Sequence, residues 1–520
     1  MIIKDKMKNY IKTLGVMLLT LLVTSCHDDS DVILSYANAD ELSFNDAQNS
    51  YAGKYKVFWK ALNTNYGIWD YEKANGVDWD AHYAEFLPKF EALDKQGRVA
   101  DSTLQKLIDE MVAPLHDGHL YVQFKNHQTG KLVDAQPGQL RNKKRADYNE
   151  TKDFVPSLVY YATSLMEYDE YNSQAKAQFE YVTTTKGIGY DWTISRINEL
   201  KSKTTLTEAE AKEFGGLYAF AGEMEKLMKK DFSKNVLADY NTLVTQYGYL
   251  NIPYLDPIES SFINSGLHLT YGLFNDGIAY FYISQFELTA YFDPTTMNQT
   301  FTDDSHTMAA VRRIREIWER WYGTVQFLHK TGQLKGVIID VRNNPGGMID
   351  DYPYALGSLL PKGGFQIGYS RYKRGLGRYD YSPLMPYTVK TLDIEHEAID
   401  DTPVVVLANS RSISMSEATS LGAKIMPNAR LIGQRTYGGF CSLIGTEAFS
   451  YNYSGHIGVD GSTPVYCYVP TMTMFNIDKQ CLEGIGVTPD IEVALDKTTF
   501  QQTGQDTQLD RALEYIRTGK

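Results

Sequence analysis

Cysteine is scarce in this 520-residue chain, and no two of its four cysteines are spaced as CxxC. Structural zinc sites are usually built from closely spaced cysteine and histidine ligands, so the spacing argues against one. Three cysteines, Cys441, Cys467 and Cys481, lie beyond the amino-terminal region. In an oxidising compartment one disulfide is possible among them and one thiol is left over, and the sequence does not select the pair.

Basic residues are fewer than acidic ones, 51 against 64, which gives a formal net charge of -13. A nucleic-acid-binding protein needs a basic surface to neutralise phosphates, so nucleic acid is excluded as a partner. No internal repeat or low-complexity tract is present. The length leaves room for two or three domains.

Residues 1–25 are predicted to be a lipoprotein signal peptide. Four lysines accompany an apolar run at 14–23 that is too short to span a membrane. The following Val23-Thr24-Ser25-Cys26 resembles a bacterial lipobox, which predicts Cys26 as the lipidated first residue of the mature chain. The alternative is an ordinary secretory peptide with an incidental cysteine. Removing 1–25 takes away four lysines and one aspartate, which changes the net charge from -13 to -16.

Hydrophobic periodicity divides the mature chain into segments. The pattern is helical over 46–120 and again through much of 121–255, whereas strands alternate with helices from 256 onward, which indicates an α/β core. The predicted organisation is a tether at 26–45, an N-terminal helical domain at 46–120, a mostly helical insert or cap at 121–255, the core at 256–500 and a C-terminal helix at 501–520.

Ser414 lies in the most informative segment, between a predicted buried strand at 404–408 and a helix from Glu417 onward. The free N–H groups at a helix start can stabilise the negative charge that develops when a hydroxyl attacks a carbonyl. The same residues, Ser414-Met415-Ser416-Glu417, also fit a capping box, in which the serine only caps the helix. Taken alone, this segment leaves both interpretations open.

Three further segments have a functional and a structural interpretation each. Asn343-Asn344-Pro345-Gly346-Gly347 follows a predicted strand and exposes backbone N–H groups to a substrate oxygen, or it is only a tight turn. Asp117-Gly118-His119 places an imidazole at the start of a strand, or the histidine is structural. Glu483, held before Gly484-Ile485-Gly486, is a constrained carboxylate or a solvated surface residue.

Together, in order and spacing, these segments resemble those of the tail-specific (C-terminal-processing) serine peptidase superfamily, over 256–515 and 46–120. The resemblance implies an αββ core like that of the crotonase and Clp protease folds, and a serine peptidase that forms an acyl-enzyme on peptide or protein substrates without metal or cofactor. It implies Ser414 as the nucleophile rather than Ser412 or Ser416. The oxyanion hole would use the N–H of Met415 with that of Gly346 or Gly347.

One departure from the family pattern decides the catalytic base. The processing-peptidase branch pairs serine with a lysine in a Thr-Phe-Gly-Lys-Gly segment, but here Gly439 stands at the lysine position. Lys424 is interpreted as a solvated helix residue. Because a serine hydroxyl without a base is a poor nucleophile at neutral pH, another base is needed.

The tricorn-like branch pairs serine with histidine and glutamate, and His119 and Glu483 match the positions that carry them. By this resemblance His119 accepts the Ser414 proton and later protonates the leaving amine, while Glu483 orients the charged system. Gly118 stands where tricorn has a serine of its charge-relay set, which puts a fourth member in doubt.

Other functions stay open on the sequence alone. A catalytically inactive ligand- or peptide-binding module and an esterase would both use this scaffold. A metal site at His116, Asp117 and His119 is disfavoured because Gly118 breaks the helix that an HxxH pair needs. The signal peptide and Cys26 predict a membrane-anchored protein of the bacterial cell envelope.

Overall fold

The computed structural model describes residues 44–520, except for 153, 155, 157–189, 231–238, 240–241, 244–245, 251–257, 263–266, 275, 294–304, 361–363, 390–398, 443–454 and 504. The predicted signal peptide, the predicted lipidation site Cys26 and nearly all of the predicted tether lie outside the described residues.

The described helices follow one another along the chain as α1 (Tyr51–Asn65), α2 (Trp69–Ala74), α3 (Trp79–Asp94), α4 (Asp101–Val112), α5 (Pro137–Asn142), α6 (Ala146–Glu150), α7 (Tyr190–Ser202), α8 (Glu208–Met228), α9 (Thr289–Phe292), α10 (Ser305–Lys330), α11 (Tyr352–Leu356), α12 (Met415–Ile425), α13 (Lys497–Thr503) and α14 (Thr507–Thr518). Short 3-10 turns occur at Gly248–Leu250, Ile349–Asp351 and Gly357–Leu359.

The described strands are β1 (Tyr121–Lys125), β2 (Leu132–Ala135), β3 (Ile258–Phe262), β4 (His268–Leu273), β5 (Ile278–Ile283), β6 (Gly336–Asp340), β7 (Phe365–Tyr372), β8 (Met385–Val389), β9 (Val404–Ala408), β10 (Ala429–Gly433), β11 (Cys441–Ser442), β12 (His456–Ile457), β13 (Val465–Tyr468), β14 (Met472–Phe475) and β15 (Ile491–Glu492).

The chain divides into two compact units. Unit 1 comprises the residues up to Leu140 together with Ser370–Met385 and Cys441–Met474. Unit 2 comprises Arg141–Tyr369, Pro386–Phe440 and Phe475–Lys520. The predicted domain bounds at 120, 255 and 500 differ from this division and stay predictions.

Unit 1 combines helices α1 to α4 with a small antiparallel sheet of order β12-β13-β1-β2. The helices are capped by side chains: Ser50 accepts from the Gly53 N–H at the start of α1, and Asp78 caps α3. An apolar core rich in aromatic side chains joins the helices to β1 and β13. The hairpin of β1 and β2 lies at the start of the segment predicted to be mostly helical.

Unit 2 is built on a seven-stranded sheet of order β15-β10-β9-β6-β5-β4-β3. The strands from β15 to β5 pair in parallel, and β5, β4 and β3 pair antiparallel. Every residue of β6 and β9 is buried, as expected for central parallel strands covered on both faces. Helix α10 packs on β3 to β5, whereas α12 and α14 pack on β9 and β10.

The structure confirms the α/β class and the helical amino-terminal region. The strand predicted at 404–408 has those bounds, and the strand predicted before Asn343 is β6. Helix α12 begins at Met415, two residues before Glu417, because Ser414 rather than Ser416 is its N-cap residue. No disulfide joins the three cysteines within the described part of the chain.

Among the described residues, no helix has both the length and the apolar character that crossing a bilayer requires.

Candidate active site

The parallel strands of unit 2 end where the candidate residues begin. Strand β6 leads into residues 341–347, β9 leads into 409–414, and β10 leads into 434–440. Because β6, β9 and β10 are parallel neighbours, these three loops leave the same edge of the sheet. Sites in α/β proteins form at this edge, outside the carboxyl ends of the strands.

The three serines of the loop after β9 differ in what their hydroxyls do. Ser412 Oγ donates to the Val341 carbonyl oxygen at 2.7 Å and accepts from the Asn409 N–H at 3.0 Å. Ser416 Oγ donates to the Asn344 carbonyl oxygen at 2.9 Å. Both residues are fully buried, whereas Ser414 is half-buried. Ser412 and Ser416 therefore have structural roles, which leaves Ser414 as the candidate nucleophile.

Ser414 sits on a strained turn at the start of α12. Its φ of 57° and ψ of -114° are unusual for a residue with a side chain. Ser414 and Glu417 stand in the arrangement of a capping box at the start of α12. The Glu417 N–H donates to the Ser414 carbonyl oxygen at 2.8 Å, and the Ser414 N–H donates to Glu417 Oε2 at 3.2 Å. Glu417 thus fixes the turn that carries Ser414.

The glycine pair after β6 lies directly against this turn. A Cβ atom on Gly346 would come within 2.5 Å of the Ser414 Cβ and 3.0 Å of the Met415 nitrogen. The Gly346 φ of +97° also favours glycine. The Gly346 N–H is already used, because it donates to Asn344 Oδ1 at 2.7 Å. Of the two predicted oxyanion donors in this loop, Gly347 is therefore the better candidate.

Asn344 joins the glycine loop to the serine turn. Its carbonyl oxygen accepts from the Ile413 N–H at 3.0 Å as well as from Ser416. Its side chain donates to the Ile283 carbonyl oxygen at 2.8 Å while accepting from Gly346. Asn344 thus connects the end of β5, Gly346 and the residue before Ser414 by hydrogen bonds.

The loop after β10 is organised by the carboxylate of Glu417, which is fully buried. Glu417 Oε1 accepts from the Thr436 hydroxyl at 2.6 Å and the Gly438 N–H at 2.7 Å, and Oε2 accepts from the Gly439 N–H at 2.7 Å. Burial raises the pKa of Glu417, and these hydrogen bonds oppose the rise. Gly439, which replaces the family lysine, is therefore part of a backbone cradle around Glu417.

Lys424 lies on α12 and forms an ion pair with Asp490, at 2.5 Å between Nζ and Oδ1. Both side chains are partly exposed. This agrees with its interpretation as a solvated helix residue.

Glu483 is fully buried and belongs to the same network of loops. Its Oε2 accepts from the Phe440 N–H at 2.6 Å, one residue beyond Gly439. The Gly484 N–H donates to the Gly438 carbonyl oxygen at 2.9 Å. Glu483 is thus a constrained, buried carboxylate rather than a solvated surface residue.

A buried charge network lies below the glycine loop, at the end of β6. The Arg342 guanidinium, fully buried, pairs with Asp340 at 2.6 Å and with Asp506 at 2.8 Å. Tyr280 also donates to Asp340, at 2.8 Å. Asp506 is the N-cap residue of α14, so this arginine ties the carboxy-terminal helix to the strand that carries the glycine loop.

His119 lies in unit 1, immediately before β1. The Asp117 carboxylate accepts from the His119 N–H at 2.6 Å and the Leu120 N–H at 2.7 Å, which fixes the turn predicted at Asp117-Gly118. The His119 Nδ1 atom is buried and has no hydrogen-bond partner among the described residues. Burial lowers the pKa of His119 to about 4, so its imidazole is neutral at neutral pH. The approach of His119 to Ser414 stays a prediction.

His116 faces a different carboxylate. Its Nδ1 lies 2.7 Å from Oε2 of the fully buried Glu72, whose Oε1 accepts from the His116 N–H at 2.8 Å. The Tyr66 hydroxyl donates to the same Oε1 at 2.8 Å. Glu72 thus fixes the position of His116 through both its ring and its backbone N–H.

Sequence reasoning named Ser414, Gly346, Gly347 and Glu483 but missed the residues that hold them. Glu417 was noticed only as a capping residue, and its contacts with the loop after β10 had no local signal. Asn344 did have a local sequence signal, because an Asn directly before Pro-Gly commonly accepts a hydrogen bond from a turn N–H with its side chain.

Residues 278–493 match the family model described as peptidase family S41. A carboxy-terminal-processing protease of Bartonella bacilliformis is 29% identical over 166 residues, which are 31% of this chain and 32% of that protein. A protein of Staphylococcus epidermidis named as a probable CtpA-like serine protease is 26% identical over 170 residues, 32% of this chain and 29% of the relative. The chain thus matches about a third of the length of these curated relatives.

Among solved structures, mature CPAF complexed with lactacystin is 11% identical, with a TM-score of 0.47 over 91% of this chain and 100% of that one. Residues 278–493 of this chain, which carry Ser414 and Glu483, are thus similar to peptidase family S41.

Proposed function

We propose that this protein is a serine peptidase that cleaves peptide bonds through an acyl-enzyme on Ser414. The observation that carries the proposal is the difference among the three neighbouring serines. Two hydroxyls are buried and hydrogen-bonded to backbone, and the third lies on a strained turn at a helix start beside two glycines. A hydroxyl with these surroundings suits nucleophilic attack on a carbonyl.

In the proposed mechanism, neutral His119 accepts the Ser414 proton as the hydroxyl attacks the scissile carbonyl. The carbonyl oxygen becomes an oxyanion, which the N–H groups of Met415 and Gly347 stabilise. Collapse of this intermediate forms the ester with Ser414, and the imidazolium gives its proton to the leaving amine. Water then hydrolyses the ester by the same steps. Glu483 orients and stabilises the charged imidazole. Because burial lowers the pKa of His119 to about 4, its imidazole is neutral at neutral pH and can accept a proton.

Hydrolysis of unstructured peptides by matched variants tests this proposal. We expect Ser414→Ala to lower kcat/KM by about 10⁴-fold or more, because only transition-state contacts other than the nucleophile would remain. Lys424→Ala removes the alternative base candidate and should keep activity within about twofold, since its ammonium pairs with Asp490. Full activity of Ser414→Ala would contradict the proposal, and loss of activity in Lys424→Ala would favour a Ser–Lys dyad. Peptide binding by a wild-type protein that hydrolyses nothing would instead favour the inactive binding module.

The proposed location is the bacterial cell envelope, where the protein would act on peptide or protein substrates while anchored by a lipid at Cys26. The lipobox-like Val23-Thr24-Ser25-Cys26 and the preceding basic and apolar segments support this proposal.

A further inference from the structure

The segment that follows the glycine pair folds back onto residues 286–289. The Phe286 N–H donates to the Gly346 carbonyl oxygen at 2.8 Å, and the Met348 N–H donates to the Phe286 carbonyl oxygen at 2.7 Å. Gly347 is therefore flanked on both sides by hydrogen bonds to a single residue. A Cβ atom on Gly347 would lie 2.0 Å from the Phe286 carbonyl oxygen. The orientation of the Gly347 peptide is thus set by where Phe286 lies.

Asp351 holds the other end of the same segment. It is fully buried, and its Oδ1 accepts from both the N–H and the hydroxyl of Thr289, at 2.7 and 2.5 Å. Its Oδ2 accepts from the Leu288 N–H. Residues 286–289 are thus tied at one end to the glycine loop and at the other to a carboxylate four residues after Gly347. We call this closed arrangement, residues 286–289 with 346–351, the Asp351 clamp.

We propose that Asp351 is a positioning residue for the oxyanion hole, and that its ionised carboxylate keeps the Gly347 N–H aimed at the reacting carbonyl. This inference rests on the proposed peptidase function. Two backbone N–H groups meet two different carboxylate oxygens, so both oxygens must accept. A protonated carboxyl carries an O–H on one oxygen and loses one of these main-chain bonds.

Burial makes the protonation of Asp351 relevant near neutral pH. Burial raises the pKa of Asp351 to about 6, the bonds from Thr289 and Leu288 oppose the rise, and the neighbouring charge of Asp350 adds to it. Burial raises the pKa of Tyr354 on α11, and the charges of Asp351 and of Asp293, after α9, add to the rise. Tyr354 stays neutral because its pKa is raised. Acidification should therefore open the Asp351 clamp before it protonates His119.

The experiment follows kcat and KM against pH for three variants. In the wild type we expect kcat to fall below about pH 6 with little change in KM, because an oxyanion donor acts mainly in the transition state. Asp351→Asn mimics the protonated acid, so its kcat at pH 8 should be about ten- to a hundredfold lower and the fall near pH 6 should be absent. Thr289→Val removes one donor to the carboxylate, so the fall should move to higher pH. Asp350→Asn removes the neighbouring charge that adds to the rise in the Asp351 pKa, so the fall should move to slightly lower pH.

Hydrogen exchange gives a readout that does not depend on activity. Amides of 286–289 and 346–348 should lose protection in the wild type below about pH 6, after correction for intrinsic rates, and should be unprotected in Asp351→Asn at pH 8. Equal protection of these amides at pH 8 in the wild type and in Asp351→Asn would overturn the inference. So would a fall in kcat near pH 6 in Asp351→Asn that equals the wild-type fall. If the wild type shows the pH-dependent exchange but cleaves no peptide, the Asp351 clamp stands and the proposed function fails.

Discussion

At the scale of single residues, the hydrogen-bond partners of the hydroxyls distinguish the proposed nucleophile Ser414 from its neighbours Ser412 and Ser416. Ser412, Ser414 and Ser416 look alike in the sequence, and the motif alone left capping and nucleophilic roles open. The decisive partners, the carbonyl oxygens of Val341 and Asn344, lie about seventy residues earlier in the chain. Such contacts leave no local pattern, so only the folded structure could resolve the roles.

The Glu417 carboxylate joins the turn at Ser414 to the loop after β10 by hydrogen bonds to both. In Glu417→Gln one carboxylate oxygen becomes an NH₂ group, which would face N–H donors that now lie within 2.7 to 3.2 Å of the carboxylate. We expect the free energy of unfolding to fall by about 1–3 kcal/mol, since buried donors would lose an acceptor. Urea denaturation measures this. Lys424→Gln, on the same helix but partly exposed, should change stability by less than about 0.5 kcal/mol, and equal effects of the two changes would contradict the role given to Glu417.

At the scale of elements, the strands that carry the site were predictable and their mutual contacts were not. Strands β6 and β9 are runs of apolar residues buried on both faces, so composition alone indicates them. Helix α10 has an apolar stripe of helical period, which is the pattern that indicates an amphipathic helix. The Asp351 clamp has no local sequence pattern, because it joins the loop after β5 to a turn 62 residues later in the chain.

The close approach of the glycine loop to the serine turn predicts a steric effect. Gly346→Ala would place a methyl group 2.5 Å from the Ser414 Cβ and require a φ of +97°. We expect kcat to fall by about a hundredfold or more, because a displaced nucleophile loses its alignment.

Gly323→Ala is the matched control for Gly346→Ala. Gly323 lies in α10, and nothing is within 4 Å of the Cβ position. Alanine there should leave kcat unchanged and raise the free energy of unfolding by about 0.5–1 kcal/mol. Wild-type kinetics in Gly346→Ala would refute the close packing of loop and turn.

At the scale of the whole molecule, the proposed catalytic residues come from distant parts of the sequence. Ser414 and Glu483 lie in unit 2, and His119 lies in unit 1. The motif order predicted all three, because family spacing carries long-range information that periodicity does not. The mixed composition of unit 1, which takes in residues 441–474 as well as the amino-terminal helices, could not be predicted from local patterns.

The proposed lipidation of Cys26 predicts that the full chain attaches to a membrane. We expect the wild-type protein expressed in a bacterium to incorporate labelled fatty acid and to sediment with membranes. Cys26→Ala should lose the label and appear in the soluble fraction or keep its signal peptide. An uncleaved signal peptide can itself hold Cys26→Ala at the membrane. Incorporation of the labelled fatty acid, and not sedimentation, is therefore the deciding measurement. A labelled Cys26→Ala protein would contradict the proposal.

Covalent labelling with a fluorophosphonate, followed by peptide mapping, tests the central claim most directly. The reagent reacts with a serine hydroxyl only where a base and an oxyanion site activate it. The account predicts one modified residue, Ser414, with labelling abolished in Ser414→Ala and slowed by about 10⁴-fold in His119→Ala. Modification of Ser412, Ser416 or another serine, or full labelling of His119→Ala, would contradict it.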